Sequence, residues 1–176
     1  MSIPKQRIAV DMDGVLADVY TQFIRMHREE TGEELQKESL LGLLEEDAFP
    51  YHDQHVNSDG FFRNAPVIQD APEVLKALNE WHEVFIVSAA MEYPNSLREK
   101  HDWLSNHFPF ITWKQIVLCG SKSIICADIM IDDHFKNLDN FKGRTLLFTQ
   151  PHNQNAKANH HTRVGSWKEI EKLLLG

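Results

Sequence analysis

Cysteine is scarce in this chain. Its 176 residues include only Cys119 and Cys126. Two are too few for a disulfide framework, and their spacing matches no zinc pattern. Both are expected to be buried free thiols in a reducing compartment. Long apolar runs are missing too, so nothing approaches membrane-spanning length. No signal peptide fits ahead of the first strand-like run, which begins at Arg7. A soluble, cytoplasmic protein is the expectation. Basic residues are in deficit: Lys plus Arg is 18 against 26 Asp plus Glu, a net charge of −8. That balance lacks the footprint of a nucleic-acid polymer binder. An acidic protein that handled an anion would have to supply positive charge locally, from a metal, a lysine or helix N-termini. Repeats and low-complexity linkers are also absent, and the length suits one domain with a small insertion.

What the chain does have is a set of short β-prone runs, each followed by a polar signal. Ile8-Ala9-Val10 precedes Asp11-Met12-Asp13-Gly14, and Val84-Phe85-Ile86-Val87 precedes Ser88. Ile116-Val117-Leu118 lies just before Lys122, and Ile129-Met130-Ile131 precedes Asp132-Asp133. Compact apolar runs separated by helical stretches read as buried strands of a parallel sheet, an α/β, Rossmann-like class. Ligands of such sheets bind outside the carboxyl ends of the strands. All four signals would therefore meet in one cleft.

Strands are expected at 7–12, 84–88, 115–119, 128–132 and 144–149. Helices are expected at 18–30, 71–82, 95–107 and 167–175, with a short one near 121–126. Asp18 and Ser166 are candidate caps, Glu169 the capping-box partner of Ser166, and Thr31-Gly32 a helix stop. In 71–82 the buried stripe would be Val74, Leu75, Leu78 and Trp81. The other tryptophans, Trp103, Trp113 and Trp167, also suit core positions. No clear strand falls between Asp13 and Val84, although alternation should resume sooner. Residues 17–68 are therefore read as a small helical insertion after the first strand, placed over the cleft as a lid, with a second short helix near Leu40, Leu41, Leu43 and Leu44. The core would be 1–16 and 69–176. Residues 150–164 read as a polar loop. His160-His161 lies there with no carboxylate or cysteine at useful spacing, and is expected in solvent.

Four carboxylates, a hydroxyl and an ammonium suit a magnesium ion and a phosphate. Two like unit charges about 4 Å apart cost on the order of 4 kcal/mol at an effective dielectric of about 20. A carboxylate attacking a phosphate dianion therefore needs a cation between them, and magnesium favours oxygen ligands. Asp11, at the strand end, is assigned as nucleophile, forming an aspartyl-phosphate. Asp13 would protonate the leaving oxygen and then activate water. Ser88 would donate to a phosphoryl oxygen and Lys122 offset its charge. Asp132 and Asp133 would anchor the metal, Asp133 being the preferred direct ligand.

These motifs, Asp11-Met12-Asp13-Gly14-Val15, Ser88, Lys122 and Asp132-Asp133, resemble those of the haloacid dehalogenase-like (HAD) phosphatases. The match narrows with Asp11 to Asp18 (DMDGVLAD), Gly60 to Arg63 (GFFR), Ile129 to Asp133 (IMIDD), Leu147-Phe148-Thr149 and His152-Asn153. Together they are similar to the 5'(3')-deoxyribonucleotidase family, over about residues 7–155. The resemblance implies a HAD core with a small helical cap, magnesium, and dephosphorylation of deoxyribonucleoside monophosphates. It implies a metal held by Asp11, the Asp13 main-chain carbonyl and Asp133, and an apolar base-side wall that includes Phe61 and Phe62. Val19 stands where better-known animal members carry an aromatic residue, Ala89 where they carry a hydroxyl, and His134 where they carry a charge.

Other readings remain open on the residues alone. The substrate could be another small phosphomonoester such as a sugar phosphate, or the fold an idle binding module. Phe61 and Phe62 could be core rather than stacking platform, and Arg98 a phosphate ligand or a surface ion pair. The partly hydrophobic cap could form a homodimer.

Overall fold

The structure is a computed structural model and describes residues 4–176. Six parallel strands form one sheet: β1 (Arg7–Val10), β2 (Glu83–Ser88), β3 (Ile116–Leu118), β4 (Ile129–Asp132), β5 (Arg144–Phe148) and β6 (Thr162–Val164), in the order β3-β2-β1-β4-β5-β6. β1 lies between β2 and β4, with Val10 opposite Ile86 on one side and Ile131 on the other. The chain runs from β1 outward through β2 to β3, then crosses back to β4 on the other side of β1, and that reversal opens a crevice at the carboxyl ends. The helices are α1 (Val19–Thr31), α2 (Glu45–Ala48), α3 (His52–Val56), α4 (Ala71–Trp81), α5 (Ser96–His107), α6 (Phe135–Leu138) and α7 (Trp167–Leu174).

Alternation along the strands sends side chains to two layers. Ile8, Val10, Val84, Ile86, Ile129, Ile131 and Leu146 join the larger core, with Val74, Leu75 and Leu78 of α4, Trp103 of α5 and Trp167 of α7. Ala9, Val87, Met130 and Leu147 face a thinner layer that includes Leu138 of α6. The two buried indoles are tied to the backbone: Trp103 Nε1 donates to the Ala65 carbonyl and Trp167 Nε1 to that of Val15, each at 2.8 Å. No helix among the described residues is long and apolar enough to cross a membrane.

α1 to α3 all lie in the stretch 17–68. Its ends are stitched together: the Asp18 N–H donates to the Pro66 carbonyl (2.7 Å) and the Ile68 N–H to that of Leu16 (2.8 Å). Asp18 caps α1 through Thr21 N, and Gly32 closes it in the left-handed region at φ 77°.

Several expectations need correction. No helix forms across Leu40–Leu44, because Leu41 is extended and Gly42 sits at φ 86°; a 3-10 turn at Lys37–Leu40 and α2 flank the break. Trp81 is 57% exposed, and the chain turns inward one residue later, where the His82 ring is buried beside the Leu174 carbonyl. Trp113 starts a 3-10 turn ahead of edge strand β3 and is 75% exposed. Cys119 is buried but Cys126 is exposed in the loop before β4. Glu169 reaches the Gly165 N–H rather than that of Ser166, so only the Ser166 half of the capping box forms. Residues 150–164 are not all loop, since β6 pairs in parallel with β5. His161 is buried, not solvated.

Candidate active site

Asp11 follows β1 and its N–H still bonds to the β4 carbonyl of Ile131 (2.9 Å), which aims the next residues over the sheet edge. The chain then folds tightly: the Met12 carbonyl accepts from the N–H groups of Leu16 and Ala17, and Gly14 takes φ 76°. Glycine is required there for a second reason. A Cβ at position 14 would collide with the Asp133 carboxylate, which rests directly against the Gly14 main chain.

The expected residues converge. Lys122 Nζ lies 2.6 Å from both Asp11 Oδ1 and Asp132 Oδ2, and all three side chains are buried. Asp11 Oδ1 also accepts from Met12 N (2.7 Å), and Oδ2 makes no hydrogen bond to the described residues. Asp132 is fully engaged: Oδ1 accepts from His134 N, and Asn137 Nδ2 contacts both oxygens. Ser88 Oγ donates to Asp13 Oδ2 (3.3 Å). Val19, Phe61, Phe62 and Ala89 line the same cleft, of about 250 Å³, together with Asp11, Asp13, Lys122, Asp133 and His134. Phe61 and Phe62 serve core and cleft at once, being buried edge-to-face at 4.8 Å while lining the opening. Arg98 pairs with Asp102 one turn along α5, on the surface.

Lys100 was not expected. This α5 lysine is buried, its Nζ bonded to Asp13 Oδ2 and to Ser88 Oγ (3.0 Å), and it lies 4.4 Å from the Phe62 ring centroid. Its neighbour Glu99 is also buried, accepting from the N–H groups of Gly60, Phe62 and Arg63. One carboxylate thereby fixes the turn that presents both phenylalanines. The signal was present: Ser96, Glu99, Lys100, Trp103 and Leu104 form the buried face of α5, so two charges occupy core-facing positions. Residues 150–153 are a further support. Gln150 Nε2 donates to the Gly14 carbonyl, while His152 Nε2 and Asn153 Nδ2 both reach that of Asp133.

The electrostatics call for a cation. Burial pushes the Asp11 carboxyl up to about 7, with Asp132 and Asp13 adding and Lys122 opposing. Asp133 is likewise raised well above the carboxylate range by burial, then by Asp11 and Asp132. Burial disfavours the Lys122 charge, but Asp11 and Asp132 outweigh it and its pKa rises. Buried Asp133 Oδ1 and Asp13 Oδ1 have no hydrogen-bond partner among the described residues. Asp11, Asp132 and Asp133 can each bring an oxygen within 4.8 Å of the others. An all-oxygen set with orphaned, charge-crowded carboxylates fits a hard divalent ion.

A stability prediction follows. In the metal-free protein the folded Asp11 carboxyl holds its proton up to about pH 7, whereas the unfolded one releases it near 3.8. Between those values the native state binds more protons, so stability falls as pH rises. At about 1.4 kcal/mol per pKa unit the loss is on the order of 4 kcal/mol. Magnesium should reverse it, and its stabilising effect should grow from pH 5 to 8. Urea denaturation with magnesium and with EDTA across that range measures this; a magnesium effect independent of pH would contradict it.

A six-stranded parallel sheet with Asp11, Asp13, Ser88, Lys122 and Asp133 at its carboxyl edge defines a HAD-like hydrolase. Solved structures agree on the fold. A haloacid dehalogenase-like family hydrolase from Streptococcus pneumoniae superposes with a TM-score of 0.65 at 13% identity, covering 96% of this chain and 98% of that one. A HAD-hydrolase from Bacillus subtilis, bound to magnesium, gives 0.60 at 12% identity, over 98% and 99%. The family model described as 5' nucleotidase, deoxy (pyrimidine), cytosolic type C protein matches residues 5–176. A 5'(3')-deoxyribonucleotidase of Bacillus subtilis is 40% identical over 177 residues, 97% of this chain and 99% of the relative. The chain belongs to the 5'(3')-deoxyribonucleotidase family and is a phosphoric monoester hydrolase.

Proposed function

We propose that this enzyme is a magnesium-dependent nucleotidase that releases phosphate from deoxyribonucleoside monophosphates through an aspartyl-phosphate on Asp11. The observation that carries the reading is the meeting of Asp11, Asp13, Lys122 and Asp133 in one cleft with Phe61 and Phe62. Asp11 Oδ1 is held by Met12 N and Lys122. That leaves Oδ2 to attack phosphorus as the ester P–O bond breaks. Asp13 gives its proton to the leaving oxygen, its carboxyl oriented by the Lys100 and Ser88 contacts to Oδ2. Asp13 then takes a proton from water, which attacks the phosphoryl group, releases phosphate and restores Asp11. Lys122 and Ser88 offset charge on the phosphoryl oxygens.

Asp11, Asp133 and the Asp13 carbonyl would hold the magnesium, which would offset negative charge shared by carboxylate and phosphate. Asp132, whose oxygens already serve Lys122, His134 N and Asn137, orients the lysine. Residues 17–68 form the cap over the cleft. Phe61 and Phe62 give the nucleoside an apolar wall, at the substrate end that Val19 and Ala89 also border.

The test is phosphate release from ribo- and deoxyribonucleoside 5'- and 3'-monophosphates, sugar phosphates and p-nitrophenyl phosphate, with magnesium and with EDTA. Deoxyribonucleotides should be hydrolysed fastest, and only with the metal. Sugar phosphates turned over ahead of nucleotides would sink the nucleotide reading. Undiminished activity in EDTA would sink the metal.

A further inference from the structure

The cluster at Asp139, His160 and His161 has no part in that chemistry. Asp139 directly follows α6, and the two histidines precede β6. The His161 side chain has no solvent exposure, while Asp139 and His160 are exposed. His161 Nε2 lies 3.0 Å from Asp139 Oδ1, its Nδ1 2.8 Å from Thr145 Oγ1 on β5, and the two imidazole centroids are 4.0 Å apart. One ligand atom from each of the three residues falls within 4.8 Å of the others.

We propose that Asp139, His160 and His161 bind a zinc-class divalent transition ion, independently of the nucleotidase reading. Two imidazoles and a carboxylate are a nitrogen-rich set that suits zinc, and the fourth position is left for water. Asp11, Asp132 and Asp133 in the cleft are an all-oxygen set that suits magnesium instead. The cleft's other mixed set, Glu45, Asp133, His134 and His152, shares Asp133 with it, so an Asp133 variant tells zinc bound there from zinc bound at Asp139. Tetrahedral bonds of about 2.0–2.1 Å put ligand atoms roughly 3.3 Å apart. Asp139 and His161 already stand close to that separation, so His160, exposed and with its ring centroid 4.0 Å from that of His161, is the ligand that would have to reorient.

Thr145 makes the site switchable. Without metal, His161 Nε2–H donates to Asp139 and Nδ1 accepts from the Thr145 hydroxyl. With metal, Nε2 offers its lone pair and Nδ1–H donates to the same oxygen, because the hydroxyl rotates to suit. The Nδ1 bond survives in both states. It is the outer hydrogen bond that a metal-bound histidine ordinarily makes. The ion would join the end of α6 to the chain entering β6, a three-residue edge strand.

The test uses the full chain with excess magnesium, titrated with cobalt(II) followed by visible absorption and with zinc by calorimetry. The expected result is saturable zinc binding and a four-coordinate cobalt spectrum that zinc abolishes. His160→Ala and Asp139→Asn, both at exposed positions, should each weaken zinc at least about tenfold. Thr145→Val should weaken it about 10- to 100-fold. Asp133→Asn should leave zinc binding intact. No zinc binding in the parent, equal affinity in the His160 and Asp139 variants, or loss in the Asp133 variant would each overturn the proposal.

Discussion

Asp11→Asn is expected to lower kcat by at least about 10⁴-fold and leave the protein folded. Removing a nucleophile in a cooperating group costs on the order of 10⁶ in a well-studied hydrolase, and residual binding does not restore the chemistry. The structure separates this loss from misfolding. Asn keeps the shape and can still accept from Met12 N, and Lys122 keeps Asp132 at 2.6 Å. The substitution also removes a buried carboxyl that crowding holds near pKa 7. The variant should therefore lose the Asp11 share of the fall in metal-free stability expected as pH rises toward 7, keeping only what Asp133 contributes. Steady-state phosphate release and urea melts on one preparation measure both. A variant within tenfold of the parent would remove Asp11 as nucleophile, whatever its stability.

Most of the sheet was legible because buried parallel strands are continuous apolar runs, and β1, β2 and β4 are such runs. The signal at the end of each therefore pointed to one edge. β6 was hidden because its three residues, Thr162, Arg163 and Val164, carry a single apolar side chain, too little for any period. It is held by pairing with β5 and by the Arg163 guanidinium, which donates to Asn153 and Ala156 carbonyls.

The site was legible where chemistry sits beside a strand and illegible where it arrives from elsewhere. Asp11, Asp13, Ser88 and Asp133 sit beside strand ends. Lys100 comes from the middle of α5, and nothing local to it names Asp13, 87 positions away, as its partner. The same limit explains His161. Its carboxylate partner is 22 residues upstream, so sequence spacing could not supply it. Trp81 and Trp113 failed for another reason: composition says an indole wants burial, but exposure there is decided by where a helix or turn ends against the sheet.

Lys122→Met should show the second large effect, on rate and on stability together. Lys122 bridges Asp11 and Asp132 with its own side chain only 3% exposed, and Asp133 is packed beside them. Methionine fills similar space but leaves these carboxylates without their lysine. Breaking a buried pair by deleting one partner costs about 3–5 kcal/mol, because an uncompensated charge stays behind. A solvent-facing lysine would cost within about 0.5 kcal/mol. In metal-free protein the loss should be largest at alkaline pH, where Asp11 is ionised, and smaller near pH 5, where Asp11 holds its proton. Magnesium should recover part of the stability, since it supplies charge to the same cluster. It should not recover the rate, because no donor then faces the phosphoryl oxygens from the lysine position; kcat should remain down by about 10²–10³. The comparison of urea midpoints at pH 5 and 8, with and without magnesium, against kcat on the preferred nucleotide tests the pair of claims. A variant that is destabilised yet fully active with magnesium would make Lys122 a folding residue only. One within threefold of the parent on both measures would return it to the surface lysines.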